Sequence, residues 1–338
     1  MSATSQMARE IAEIPNAARR LLAQEDALSA AASAIRAADP PFAVICGRGS
    51  SGHAGVHLRY LIETHLGIAV SAAAPSVVTS YRRPSALAGA LFVVISQSGG
   101  SPDLVAATRA AEAAGALTLA LVNETASPVA AAAGLVVPLA AGPELSVAAT
   151  KSVVVSMLAG ARLIAEAADD RDLLAACAAA PDRFAAALGL DWSAWGAQLA
   201  TARAAFVAAR GYGFGPAREL ALKISETVRL PALGYSAAEL RHGPRAAIAA
   251  DTPVLALRQD DATAATVDGL AADLAAEGEP ILVAGGPRST LPWIGDAHPV
   301  LDPVAMLGPA YAAIEAATRA KGFDPDRPPF LQKVTKTL

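Results

Sequence analysis

Residues 91–103, LFVVISQSGGSPD, contain the clearest sequence signal for the fold of this chain. The first part, Leu91 to Ile95, is an apolar run rich in β-branched residues, which is typical of a buried strand. A loop of small residues from Ser96 to Pro102 follows, and the alanine-rich segment from Asp103 to Ala114 predicts a helix. The next apolar run, Leu117 to Val122, predicts a second strand. The order strand, loop, helix, strand favours a parallel sheet with helices on both faces.

The same order recurs on both sides of this stretch. An apolar run from Phe42 to Cys46 precedes the loop Gly47 to Gly52 and a helix predicted from His53 to His65. Another run, Phe206 to Ala209, precedes a glycine loop and a helix predicted from Ala217 to Leu230. Further strands are predicted at Val254–Leu257 and Ile281–Ala284, with a helix at Ala262–Glu277 between them. We therefore predict an α/β fold with two similar, doubly wound parallel sheets that arose by duplication.

Length and local composition predict the domain bounds. A chain of 338 residues favours two domains over one. Residues 17–38 are predicted to be helical and end before Pro40 and Pro41, and a change in composition around Leu190 to Ser193 indicates a linker. We expect an N-terminal helical segment (1–38), a first α/β domain (39–188), a second (189–322) and an extended, proline-rich tail (323–338).

The overall composition argues against several classes of protein. The hydrophobic share is 54%, but much of it is alanine, and no run suits a continuous apolar helix of about 20 residues. The N-terminus lacks a basic region followed by an apolar stretch, so we expect no export and a cytoplasmic location. A net charge of −4 and an aromatic share of 4% disfavour nucleic-acid binding. Cys46 and Cys177 form no C-x-x-C pattern, so we expect free thiols, no metal and no cofactor.

The serine-rich loop that follows Ile95 carries the strongest chemical signal. Its glycines let the backbone approach an anion, the N–H groups at the start of a helix point toward it, and serine hydroxyls add donors. A phosphate is the expected ligand, and a plain strand-to-helix turn with serine caps is the alternative. A second serine pair stands after the first strand, and ligands of such sheets bind at the carboxyl ends of strands. The candidate binding residues are Ser50, Ser51, Ser96, Gln97, Ser98 and Ser101.

The first loop also invites a dinucleotide-binding interpretation. Gly47 to Gly52 satisfies the pattern G-x-G-x-x-G between a predicted strand and a predicted helix. That fingerprint requires an acidic residue about 20 positions further on to hold a ribose, but Leu66 to Tyr81 contains none. The sequence therefore argues against a nicotinamide cofactor.

A second informative segment contains Lys223, Glu226 and His242. Lys223 and Glu226 stand three residues apart on one helix face, where a surface ion pair of at most about 1 kcal/mol is the ordinary outcome. His242 could simply bond to local backbone. A histidine and a carboxylate that converge would instead suit sugar isomerisation, in which one group opens the ring and another moves a proton between adjacent carbons.

Taken together, these segments resemble the sugar isomerase (SIS) family. The resemblance covers nearly the whole chain. Beyond the segments above, it includes Arg9 to Pro15, Gly142 to Lys151, and Leu331 to Lys333. It is similar to the isomerase half of glucosamine-6-phosphate synthase and to the related glucosamine-6-phosphate deaminases. The resemblance implies two tandem SIS domains and a homodimer with active sites at the subunit interface.

The resemblance also implies a role for each candidate residue. The serine-loop residues and Ser51 would contact the phosphate and the sugar, with Val147 near the sugar through its backbone. Glu226 would be the base that moves a proton between C1 and C2, assisted by Lys223. His242 would open the ring, reaching across from the partner subunit, and Lys333 in the tail would close over the open-chain sugar.

Departures from the synthase pattern favour a deaminase. The chain starts at the linker-like segment Arg9 to Pro15 without a cysteine nearby, so we expect no glutamine hydrolysis. The loop continues through Gly100 and Ser101 into Pro102-Asp103, an ending that resembles the deaminase branch. The expected reaction converts glucosamine 6-phosphate and water to fructose 6-phosphate and ammonia. The alternatives are an aldose-ketose isomerase, a deaminase of another amino-sugar phosphate, and a non-catalytic SIS sensor of phosphosugars.

Overall fold

The structure, a computed structural model, describes residues 4–83, 86–295 and 297–333. These residues form two compact units. The first unit comprises residues 16–144 and 152–178 with Gln332 and Lys333. The second comprises residues 179–331 together with residues 145–151 and the N-terminal residues 4–15.

The secondary-structure elements are as follows. The strands are β1 (Phe42–Cys46), β2 (Ala69–Ala72), β3 (Leu91–Ser96), β4 (Leu117–Val122), β5 (Leu135–Pro138), β6 (Ala205–Ala209), β7 (Ala232–Ser236), β8 (Val254–Leu257) and β9 (Ile281–Ala284). The α-helices are α1 (Gln6–Ala12), α2 (Ile14–Leu22), α3 (Glu25–Ala38), α4 (Gly49–Leu61), α5 (Pro75–Thr79), α6 (Pro102–Ala113), α7 (Lys151–Ala167), α8 (Arg171–Ala187), α9 (Ser193–Thr201), α10 (Phe214–Lys223), α11 (Ala237–Arg241), α12 (Ala264–Ala276), α13 (Asp302–Ala305) and α14 (Leu307–Ala320). Two π-helical turns, Ile62–Leu66 and Ile224–Val228, follow α4 and α10 directly.

The sheet of the first unit is parallel, with the strand order β2-β1-β3-β4-β5. Its central strand β3 is buried along its whole length, as its run of apolar residues predicts. Val94 and Phe92 face α6, where they pack with Leu104. Residues of opposite parity face α4, and a Cβ on Gly55 would lie 2.7 Å from Ile45. Helices therefore cover both faces of this sheet, as predicted.

The sheet of the second unit repeats this arrangement with the order β7-β6-β8-β9. The register is the same in both units, since Ala43 pairs with Leu91 and Phe206 pairs with Val254. The core on one face joins Phe206 to the apolar side of α12, including Leu270. The predicted α/β fold with two doubly wound parallel sheets is confirmed.

Several predicted elements differ from the observed ones. The helix predicted over residues 17–38 is two helices, α2 and α3, with a break at Ala23 and Gln24. The strands β2, β5 and β7 were not predicted; each has only four or five residues and is at most partly buried. Among the described residues, no helix combines the length and apolar character needed to cross a membrane.

The residues after α14 contain neither helix nor strand up to Lys333. This segment is nevertheless anchored within the second unit. The Asp326 carboxylate accepts hydrogen bonds from the backbone N–H groups of Gln6 at 2.7 Å and Met7 at 2.8 Å. These bonds satisfy two N–H groups in the first turn of α1. Predicted tail residues 334–338 lie outside the described residues.

Both cysteines are free, as predicted, and the structure shows both to be buried. Burial raises the pKa of Cys46 to about 12, and the neighbouring Asp103 charge adds to this while Arg48 opposes it. Burial likewise raises the pKa of Cys177 to about 12. Both side chains are therefore thiols rather than thiolates at neutral pH.

We expect neither thiol to react with a thiolate-specific disulfide reagent at pH 8 in the folded protein, because the thiolate is the reactive form. In urea both should react, since an unfolded cysteine has a pKa near 8.5. Titration of reagent consumption with and without urea tests this. Reaction of either cysteine in the folded protein at the rate of the urea sample would contradict the assignment.

Candidate functional site

The serine loop occupies the junction between β3 and α6. Ser96 is the last residue of β3, and its buried hydroxyl accepts a hydrogen bond from the Gly99 N–H at 3.0 Å. The Ser98 hydroxyl accepts one from the Gly100 N–H at 3.3 Å. Ser101 precedes α6 without a side-chain capping bond to the helix. The start of α6 is thus not capped by its own serine, which suits an anion site.

Gly99 is required by the shape of this loop. Its φ is +59°, and a Cβ there would lie 1.9 Å from the Ser127 hydroxyl. The Gly99 carbonyl accepts a hydrogen bond from the Val129 N–H at 3.0 Å, and the Gln97 carbonyl accepts one from the Glu124 N–H at 3.3 Å. The segment after β4 therefore fixes the loop backbone, and any larger residue would push it away.

The second serine pair lies at the end of β1. α4 begins at Gly49, so Ser50 and Ser51 are half-buried in its first turn rather than in a preceding loop. A Cβ on Gly47 would lie 2.9 Å from the Ser51 backbone, which explains the glycine. Because β1 and β3 are parallel neighbours, both serine groups lie at the same edge of the sheet. This is the point where the strand order reverses, the usual ligand crevice of such sheets.

An ion pair between Arg48 and Asp103 joins these two junctions, and sequence reasoning missed it. Asp103 is 2% exposed in the first turn of α6, and its Oδ2 contacts the Arg48 guanidinium. Its other oxygen, Oδ1, is buried without a hydrogen-bond partner among the described residues. Arg48 thus offsets a carboxylate charge that would repel an anion at the helix start. The sequence showed Arg48 only as the variable position of the glycine pattern.

Lys223 and Glu226 are in direct contact within the second unit, through Nζ and Oε2. Lys223 is 1% exposed, and its Nζ also lies 3.5 Å from Oε1 of the fully buried Glu219. The Tyr311 hydroxyl donates a hydrogen bond to that same Oε1 at 3.3 Å. The surface ion pair considered from the sequence is therefore wrong: the ammonium is buried between two carboxylates. Sequence reasoning assigned no role to Glu219, although it lies one helical turn before Lys223.

A π-helical turn, Ile224–Val228, presents Glu226. The Thr227 hydroxyl donates to the Lys223 carbonyl at 2.8 Å, and the Ser225 hydroxyl donates to the Ala221 carbonyl at 3.0 Å. These bonds provide hydrogen-bond donors for the Ala221 and Lys223 carbonyls at the point where the α-helix changes into the π-helical turn. The turn is followed by Arg229, whose φ is +62°. The helix predicted over 217–230 is therefore wrong at both ends, since α10 begins at Phe214 and the π-helical turn ends at Val228. π-Helical turns are rare in proteins overall, but those that occur are often found at functional sites.

Glu226 opens onto a cavity of about 490 Å³ in the second unit. Its side chain is 21% exposed, in contrast to the buried Lys223. The cavity is lined by Ser225, Glu226, Arg229, Leu230, Pro231, Pro329, Phe330 and Leu331. A carboxylate with one oxygen held by a buried ammonium and an open side toward a cavity can exchange protons with a bound molecule.

His242 is exposed at the end of α11, and its Nδ1 lies 2.7 Å from the Ala238 carbonyl oxygen. Since a carbonyl oxygen can only accept, Nδ1 carries the proton of this bond. In the neutral ring the other nitrogen, Nε2, is then the hydrogen-bond acceptor. The structure gives His242 the local backbone contact considered from the sequence, and this contact fixes its tautomer.

The remaining predicted residues lie in two segments. Val147 is half-buried in the 145–151 loop of the second unit. Lys333 belongs to the first unit, where its Nζ lies 3.4 Å from Oε2 of Glu144. The buried Glu144 carboxylate also accepts hydrogen bonds from the Ser152 hydroxyl at 2.6 Å and N–H at 3.1 Å. The serine groups and Lys333 are thus in the first unit, and the Glu226 set, His242 and Val147 are in the second.

We expect Gly99→Ala to destabilise the protein more than Gly67→Ala. Both glycines have a left-handed backbone, with φ of +59° and +68°, which costs an alanine roughly 1–2 kcal/mol. No non-adjacent atom of the described residues lies within 4 Å of a Cβ added to Gly67, so the difference between the variants isolates the overlap with Ser127. Urea unfolding of both variants measures this difference, and Gly99→Ala should also weaken binding of inorganic phosphate. Equal destabilisation would contradict the steric role of Gly99.

This chain is similar to several known proteins. Glutamine–fructose-6-phosphate aminotransferase (isomerizing) of Symbiobacterium thermophilum is 32% identical over 97% of this chain and 58% of the relative. The chain spans about half the length of the curated relatives it matches. A solved structure from Silicibacter pomeroyi, which carries the provisional name of phosphosugar isomerase, is 38% identical, with a TM-score of 0.91 over 96% of this chain and all of that chain.

A glucosamine-6-phosphate deaminase from Thermotoga maritima shares the fold, with a TM-score of 0.77 over 98% of this chain and 100% of that chain, at 20% identity. The model of the SIS domain matches residues 39–165 and 198–292, one stretch in each half of the chain. The resemblance inferred from the sequence is confirmed, and the chain belongs to the SIS domain family.

Proposed function

We propose that this protein catalyses the isomerising deamination of glucosamine 6-phosphate, which consumes water and releases fructose 6-phosphate and ammonia. The observation that carries the proposal is the Glu226 carboxylate, held by the buried Lys223 ammonium and open toward a cavity. A carboxylate in this setting suits proton transfer between adjacent carbons. The reaction is redox-neutral, so it consumes no nicotinamide.

In this proposal the serine loop holds the phosphate of the substrate. Its hydroxyls and the N–H groups that begin α6 are donors for phosphate oxygens, and the α6 dipole favours the negative charge. The contributing side chains are Ser50, Ser51, Ser96, Gln97, Ser98 and Ser101, and Val147 contacts the sugar through its backbone. Arg48 reduces the repulsion from Asp103.

The proposed chemistry begins with ring opening at His242, whose Nδ1 bonds to the Ala238 carbonyl and leaves Nε2 as the acceptor nitrogen. Glu226 then removes the C2 proton of the open-chain aldehyde and returns it to C1, while one proton passes from the amine nitrogen to O1, so that the aldehyde becomes an alcohol and the amine becomes an imine. The resulting C2 imine adds water and releases ammonia, leaving the C2 ketone. Lys223 holds the Glu226 carboxylate, and Lys333 closes over the open-chain sugar. Because His242 is exposed, it is available to serve the site of a partner subunit in a homodimer.

The comparisons support the substrate class. Curated relatives of this chain are named as fructose-6-phosphate aminotransferases, so a hexose 6-phosphate is the natural first candidate. The direction is inferred from the loop ending Ser101-Pro102-Asp103, which resembles the deaminase branch. The same Glu226 geometry also supports a second candidate, an aldose-ketose isomerase, since the C1–C2 proton transfer does not require an amino group.

We expect the protein to release ammonia and fructose 6-phosphate in equal amounts from glucosamine 6-phosphate. Glu226→Gln should lower kcat by about 10²–10⁴, because it removes the proton acceptor. The fold should survive this change, since Lys223 keeps the Glu219 carboxylate beside it. Coupled assays for both products, with glucose 6-phosphate and other amino-sugar phosphates as further substrates, make the measurement.

Glu277→Gln is the matched control, because Glu277 is also a carboxylate paired with a basic residue of the second unit. Its activity should equal that of the unmodified protein. Isomerisation of glucose 6-phosphate without ammonia release would favour the second candidate. Binding of phosphosugars without any turnover would indicate a sensor and contradict the proposed reaction.

A further inference from the structure

Glu10 is a fully buried carboxylate in the last turns of α1. Its Oε1 accepts a hydrogen bond from the Leu145 N–H, and both of its oxygens accept from the Ser146 N–H, at 3.3 and 3.2 Å. The Gln6 side-chain amide donates to Oε1 at 3.1 Å. All four residues belong to the second unit. Glu10 thus binds the backbone of a loop that lies far away in the sequence.

These contacts provide hydrogen-bond partners both for the buried carboxylate and for the backbone of the loop. A buried carboxylate is costly unless it receives hydrogen bonds, and the two backbone donors with Gln6 provide them. The loop 145–151 begins as irregular backbone, and Ser146 is 1% exposed. Buried N–H groups of irregular backbone also require partners, which Glu10 supplies. Carboxylate and loop backbone therefore hold each other in place.

A second carboxylate of the same segment holds the far end of this loop. Glu13 forms an ion pair with Lys151, which is 1% exposed and begins α7. Glu10 and Glu13 stand three residues apart, a spacing that places side chains on one side of a helical segment. The two carboxylates therefore bind the two ends of loop 145–151.

The helix that presents Glu10 is itself fixed within the second unit. The Ser5 hydroxyl accepts from the Ala8 N–H at 3.0 Å, and donates to Glu315 of α14 at 2.7 Å. Asp326 caps the start of the helix from the tail. Because α1 is anchored at its N-terminal end, Glu10 reaches the loop from a rigid support.

We propose that Glu10 is a positioning residue for the backbone of Val147. Val147 directly follows Ser146, whose N–H is bound by Glu10, so the carboxylate fixes the 145–146 peptide and with it the direction in which the chain enters Val147. The inference rests on the proposed function, in which the Val147 backbone contacts the sugar. Glu10 does not touch the substrate, and its effect is on the geometry of the loop.

The test compares Glu10→Ala, Glu10→Gln and the control Arg9→Ala, which changes an exposed neighbour on the same helix. The loss of hydrogen bonds to a buried charge should raise KM for the phosphosugar about tenfold in Glu10→Ala. The fall in kcat should be smaller. Glu10→Gln keeps an acceptor at the Oε1 position, which receives most of the bonds, so its KM should remain within about threefold. Arg9→Ala should leave both constants unchanged.

Hydrogen exchange at the Leu145 and Ser146 amides provides a readout that does not depend on catalysis. Exchange at both amides should be faster in Glu10→Ala than in the unmodified protein and Arg9→Ala, and intermediate in Glu10→Gln. Unchanged protection, or unchanged KM with faster exchange, would overturn the proposal. If Glu10→Ala fails to fold, Glu10→Asp, which keeps the charge but shortens its reach, should show the same faster exchange.

If the unmodified protein turns over no amino-sugar phosphate, the proposed reaction fails while the exchange rates still decide whether Glu10 orders the loop. The dissociation constant for fructose 6-phosphate then replaces KM as the measure of sugar binding. An unchanged dissociation constant in Glu10→Ala would overturn the positioning role.

Discussion

The reversal of strand order between β1 and β3 is the constraint on which the candidate phosphate site depends. At this point the helices that follow the two strands leave toward opposite faces of the sheet, so no crossover covers the strand ends. The starts of α4 and α6 are therefore open at one edge. The glycines at 47 and 99 let backbone and neighbouring segments approach closely there, and the serines supply hydroxyl donors. At the same edge, the Arg48 guanidinium offsets the negative charge of the Asp103 carboxylate.

The second unit repeats the sheet, but the segments at the point where its strand order reverses, between β6 and β8, are arranged differently. Between β6 and β8, the Gln259 side-chain amide donates to the Arg210 carbonyl at 2.7 Å and so connects the segments that follow the two strands. Its amide also bonds to Asp261 and Thr263 at 3.0 Å. The buried Gln259 side chain thus bridges the crevice, and the Asp261 carboxylate accepts a hydrogen bond from the Thr263 N–H just before α12. The second unit instead contains the buried network of Glu219, Lys223 and Glu226.

The sequence predicted the central strands because burial on both faces gives them continuous apolar runs. Phe42 to Cys46, Leu117 to Val122 and Val254 to Leu257 were predicted with their observed bounds. The serine loop was found because glycine and serine at a strand-to-helix junction have a direct physical meaning. Edge strands such as β2 have weak apolar patterns, so their positions were set by pairing with β1, which no local signal encodes.

Side-chain partners were the less predictable part of the candidate site. The burial of Lys223 depends on Glu219 and on Tyr311, which lies far along the chain. The pairing of Arg48 with Asp103 and of Glu10 with the 145–146 backbone likewise joins distant segments. Such contacts depend on tertiary packing, and a single sequence shows only that each residue can ionise. The π-turn beneath Glu226 also escaped prediction, since its residues fit an ordinary helix.

If the β1 and β3 junctions bind the phosphate of a sugar, a crystal structure of the complex with fructose 6-phosphate will show the phosphate there. We expect its oxygens within hydrogen-bond distance of the Ser98 and Ser101 hydroxyls and of the N–H groups that begin α6. A phosphate bound elsewhere, such as at the segment after β6, would contradict this expectation. So would an empty serine loop at a concentration that saturates binding in solution.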